Sequence, residues 1–91
     1  MKIVINDCHG SFGLSENALA LYNERAGAII TNEDDIKRNN PILVEIVEQL
    51  GEAADGRYAE LKVVEIPDDV QWQIEEYDGN EWVAEKHRKW D

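Results

Sequence analysis

The chain has 91 residues, with 20 Asp or Glu against 9 Lys or Arg and a formal net charge of −11. A chain of this length makes one domain and buries only roughly 60–65% of its unfolded surface, which leaves little room for an enclosed active-site cavity unless two copies build one. Its acidity opposes long-range approach to nucleic acid and anionic membranes and favours basic surfaces.

A hydrophobic fraction of 43% is enough for a globular fold. The longest apolar runs, such as Ile42-Leu43-Val44, are far too short to cross a bilayer. Asp7 and His9 interrupt the apolar start, so no signal peptide is read there. Cys8 is the single cysteine. An internal disulfide is therefore excluded, and a reducing cytoplasm is expected.

In chain order, the β-branched run Ile3-Val4-Ile5 predicts a strand over 2–6, buried on both faces. Residues 7–14 form a loop. Ser15 is a good N-cap and Glu16 complements the dipole of a helix running to about Ala26, where Gly27 ends it. Ala28–Thr31 reads as a short extended piece and 32–39 as a turn or one helical turn. Asn40-Pro41 starts a second helix, with Leu43, Val44, Ile46, Val47 and Leu50 as its apolar stripe. Gly51 weakens that helix, yet Ala53-Ala54 can extend it to Asp55-Gly56.

Three strands follow. The first spans Ala59–Ile66 and stops at Pro67. The next alternates through Val70, Trp72 and Ile74. Asp78-Gly79 signals a hairpin, and the chain returns from Glu81 to about His87. A two-residue turn sets Ile74 opposite Val83, a three-residue turn sets it opposite Ala84, and both registers stay open. The order β-α-α-β-β-β predicts a single α+β domain over 1–91, a mostly antiparallel sheet with helices on one face.

Charge is segregated. From Val63 to Glu85 there are eight acids and no Lys or Arg, and Lys86-His87-Arg88-Lys89 follows at once.

The loop after the first strand has the strand–glycine–helix order that cradles anions. It lacks both phosphate-binding glycine signatures and contains no base, and Asp7 would repel a phosphate. A tight turn is the simpler reading, with Gly10 and Gly13 supplying positive φ and Phe12 and Leu14 tucked under the sheet. Cys8 and His9 are adjacent, and adjacent side chains on a strand point apart, which opposes a thiolate–imidazole pair. With His87 they fall one short of a closed zinc set. No metal and no cofactor are expected.

The start MKIVINDCHGSFGLS and the end from Arg38-Asn39-Asn40-Pro41 through LVEIVEQLGEAADGRYAELKVVEIPDDVQWQIEEYDGNEWVAEKHRKW resemble a family of small uncharacterised proteins of tailed phages and prophages. Members of that group carry tyrosine at the position of His9, glycine at that of Ser11, and often a longer middle. The resemblance implies a phage or prophage origin and an α+β fold, and the expected location is the host bacterial cytoplasm. It implies no activity, and no functional residue is carried over. The tyrosine also counts against a shared Cys-His chemistry.

The leading expectation is a phage-encoded inhibitor of a host defence system, anti-CRISPR-like or otherwise anti-defence, which acts by binding. Its acidic surface would meet a basic host protein, such as a nucleic-acid-binding defence protein, through Glu75, Glu76, Tyr77, Asp78, Glu81 and Trp82. An alternative is a homodimeric sponge for a nucleotide-like signal, using Asn6, Cys8, His9, Gly10, Phe12, Gly13, Trp72 and Arg88. A small Cys8 enzyme and an accessory protein without a site complete the set. An enzyme is not expected, nor is direct binding to nucleic acid or membrane.

Overall fold

A computed structural model describes residues 1–85. The elements are β1 (Lys2–Asn6), α1 (Glu16–Ala26), α2 (Pro41–Leu50), β2 (Leu61–Glu65), β3 (Trp72–Tyr77) and β4 (Asn80–Glu85), with 3₁₀ turns at Glu33–Asp35 and Gly51–Ala54. The chain is an α+β domain, as its element order predicts. Its strands divide between two antiparallel two-stranded sheets, β1–β2 and β3–β4.

Local signals in the sequence set the helix ends. Ser15 Oγ accepts from the Ala18 amide and donates to the Ala53 carbonyl, joining the start of α1 to the turn after α2. Gly27 closes α1 in the left-handed region. Asn40 accepts from the Ile42 and Leu43 amides and donates to the Tyr22 hydroxyl, so one side chain caps α2 and fastens it to α1. Gly51 ends α2 at φ 57°, ψ −129°. A helix cannot pass through that conformation, so Gly51–Ala54 continues as a 3₁₀ turn rather than extending α2. Ala28–Thr31 forms no strand.

Between the helices and β1–β2 lies the core, built from Val4, Leu14, Ala18, Tyr22, Ile36, Leu43, Val44, Ile46, Val47 and Ala54. Leu61 and Val63 of β2 pack against it. Removing a fully buried side chain such as Leu43 would cost roughly 2–5 kcal/mol. Ile3 and Ile5, on the opposite face of β1, are buried as well. Both faces of this strand are covered, as its β-branched sequence predicts.

The β1–β2 register pairs Ile3 with Val64 and Ile5 with Lys62. On its other side β1 pairs with no strand among the described residues. Its Val4 amide donates to the Arg38 carbonyl, the Val4 carbonyl accepts from Arg38 Nη1, and the Asn6 amide donates to Glu81 Oε1. A loop backbone and two charged side chains thus do the work of a strand.

β3 starts at Trp72 rather than at Val70. The Val70 amide folds back to the Pro67 carbonyl, which uses 67–70 as a turn.

Candidate functional site

The β3–β4 hairpin is built on a two-residue turn. Asp78 has φ 52° and Gly79 φ 87°, the pattern of a type I′ connection whose twist matches paired strands. This turn sets Ile74 opposite Val83 and so chooses between the two registers left open above.

Strand alternation then sorts the side chains. Gln73, Glu75 and Tyr77 share one face with their partners Ala84, Trp82 and Asn80. On that face Tyr77 is 72% exposed and Trp82 is 43% exposed, directly beside Glu75. Gln73 donates to Glu75 Oε1 at 3.0 Å. Asp78 at the tip is exposed, and so is Glu76 on the opposite face. Glu76 also accepts the Gly79 amide at 2.8 Å, bracing the turn. Among the described residues, none of Glu75, Glu76 and Asp78 enters an ion pair.

Glu81 differs. It points away from that face, and its side chain retains only 10% exposure. Arg38 donates to both of its oxygens, at 2.6 and 2.9 Å, and the Asn6 amide donates to one of them. The Arg38 guanidinium lies 3.5 Å from the centre of the Phe12 ring. Glu81 thus anchors the hairpin to β1 and adds no free charge to the exposed acidic face. Arg38 was invisible as its partner in the sequence, where 43 residues separate the two.

Residues of the loop after β1 are engaged inside the fold. Asn6 is completely buried; its amide donates to the Cys8 and Gly79 carbonyls, and its oxygen accepts from the Glu60 amide. The single proton of the Cys8 thiol is shared between Asn6 Oδ1 and the Tyr58 carbonyl, at 3.4 and 3.5 Å from the sulfur. His9 is exposed. Phe12 is half-buried beneath Arg38, and Trp72 is half-buried on the face away from Tyr77 and Trp82.

Gly10 and Gly13 do not have the expected positive φ. Gly10 is needed for close approach instead: a Cβ there would lie 1.8 Å from the Tyr58 carbonyl oxygen, and one on Gly79 would lie 1.7 Å from the Gly10 carbonyl oxygen. Gly13 meets Gly56, whose amide donates to the Gly13 carbonyl at 2.9 Å. The loop is therefore clamped between the Tyr58 turn and the hairpin tip, which brings Asn6, Cys8 and Gly10 together around structural bonds. Arg88 and the rest of the basic cluster lie outside the described residues.

Elsewhere, among the described residues, the surface acids find few partners. Arg25 pairs with Glu45 at 3.0 Å and Lys2 with Glu48 at 2.9 Å. Hydrogen bonding to Glu48 raises the Lys2 pKa above its ordinary value. The Met1 ammonium, bonded to Asp68, holds that carboxyl below the usual range. Among the described residues no helix is long and apolar enough to cross a membrane.

The fold and the hairpin define an acidic α+β domain with an exposed aromatic face. No family model, curated protein or solved structure matches the chain.

Proposed function

We propose that this protein acts by binding a basic protein through the outer face and tip of its β3–β4 hairpin. One observation carries the reading: Tyr77 and Trp82 stand exposed on the hairpin beside carboxylates that no base in the described structure neutralises. Aromatic side chains supply contact area, and the field of Glu75, Glu76 and Asp78 steers a cationic surface toward them. The resemblance to tailed-phage proteins supports a biological setting, inhibition of a host defence protein in the bacterial cytoplasm by occupation of its basic, nucleic-acid-binding surface.

The test is a pull-down from host cells with the wild type, a Glu75→Gln, Glu76→Gln, Asp78→Asn triple variant, and Trp82→Ala. A basic protein should be retained by the wild type, released as salt shortens the screening length toward about 3 Å at 1 M, and lost from both variants. Retention of the same proteins by both variants, with unchanged salt dependence, would sink the proposal.

A further inference from the structure

We infer that the outer edge of β2 docks an extended basic segment of a partner protein, which joins the β1–β2 sheet as a third strand. The inference rests on backbone geometry around β2 and not on the hairpin.

The ladder shows which groups are free. Asp7 donates to the Glu60 carbonyl at 2.7 Å and Ile66 to the Met1 carbonyl at 2.9 Å, while the Val4 amide turns the other way, to Arg38. Even-numbered residues of β2 therefore face β1, and Leu61, Val63 and Glu65 direct their amides and carbonyls outward. The Leu61 amide is taken by Asp55 Oδ1 at 2.9 Å. Among the described residues the amides and carbonyls of Val63 and Glu65 have no partner. An unpaired edge of this kind is a template for strand addition.

The chemistry of the guest follows from what lies beside the edge. At its Leu61 end is a concavity of about 570 Å³ lined by Gly51, Glu52, Asp55, Ala59, Glu60 and Leu61. Three acidic residues and no basic one line it. Asp55 takes the Leu61 amide there, so the backbone of an incoming residue finds only the Leu61 carbonyl, while its side chain reaches the acids, which a Lys or Arg complements. Two positions along, half-buried Val63 offers an apolar neighbour. The edge thus selects a strand with a basic residue two positions from a β-branched one. A second copy fits poorly, because its own β2 is flanked by Glu60 and Glu65 and each chain carries −11.

The probe is a peptide, acetyl-Arg-Thr-Val-Thr-Val-amide, titrated into the full chain while amide exchange is followed by NMR. Near saturation the Val63 and Glu65 amides should exchange at least about tenfold more slowly, and glutamate in place of the peptide's arginine should weaken binding by about tenfold or more. Val63→Pro deletes an outward donor and trims the packing of Val63 against the core, and it should abolish the protection at Glu65 while the β1–β2 ladder persists. Should that variant not fold, Glu52→Gln with Glu60→Gln serves instead, and unchanged affinity in that pair overturns the inference. So does unchanged exchange at Val63 and Glu65 with millimolar peptide. Protection that rises with protein concentration alone would assign the edge to a second copy and also overturn it. Protection confined to residues 72–85 overturns it too, while leaving the hairpin proposal standing.

Discussion

Arg38 and Glu81 form a two-pronged ion pair that joins the loop before α2 to the hairpin and closes the edge of β1 between them. Both side chains are largely buried, at 19% and 10% exposure. Removing one partner leaves the other charge desolvated and the Asn6 amide or Val4 carbonyl short of a bond. Glu81→Ala and Arg38→Ala should each cost roughly 2–4 kcal/mol, lowering the melting temperature by about 10 °C or more. The double variant should cost clearly less than the sum of the two, as a double-mutant cycle in urea would show. Additive losses would mean that the pair contributes nothing as a pair.

The glycines separate into two physical classes. Gly10, Gly56 and Gly79 lie against backbone, where a Cβ would approach Tyr58, Gly13 and Gly10 to 1.8, 2.7 and 1.7 Å. Gly27 has φ 64° but open space around it. Gly27→Ala should therefore cost about 1 kcal/mol, from the backbone alone, and Gly10→Ala and Gly56→Ala at least about 2 kcal/mol. Gly13→Ala should be mild, since its nearest obstacle is the end of the Glu33 side chain at 3.1 Å. Thermal melts of the series check the order, and a Gly13→Ala variant as damaged as Gly10→Ala would break it.

Asn6 and Cys8 test whether the loop is structural. Asn6→Leu strands the Glu60 amide and the Cys8 and Gly79 carbonyls, and should cost roughly 3 kcal/mol. Cys8→Ser keeps a donor toward Asn6 and Tyr58, and should fold and bind as the wild type does. Complete loss of partner binding in a folded Cys8→Ser variant would contradict this.

What could be read in advance was local. Ser15, Gly27, Asn40-Pro41 and Asp78-Gly79 act on amides a few residues away, so their roles show in the residues themselves. The Arg38–Glu81 pair and the stack of Gly10 between Tyr58 and Gly79 join segments far apart, and nothing in either partner announces the other. Strand alternation put Trp72 and Ile74 on one face, but with two registers open it did not decide that Tyr77 and Trp82 share the other; the Asp78-Gly79 turn does. Counting acids could not reveal that Glu81 is neutralised, because that depends on a base reached only through the tertiary fold.

Removing charge from the hairpin without touching Glu81 isolates the acids left unpaired among the described residues. Glu76 stands directly opposite Glu81, and like charges at facing positions repel. Arg38 offsets one member of that pair but leaves Glu75, Glu76 and Asp78 in one another's field. The triple variant Glu75→Gln, Glu76→Gln, Asp78→Asn keeps the acceptor for the Gly79 amide, and asparagine suits the positive φ of position 78. Its stability should rise by about 0.5–1 kcal/mol in low salt, and the gain should shrink as salt screens the repulsion. Urea denaturation at two ionic strengths measures both terms. A variant no more stable than the wild type in low salt would mean that these acids do not repel one another. A gain in stability combined with a loss of partner binding would instead mark acids kept for recognition at the expense of the fold.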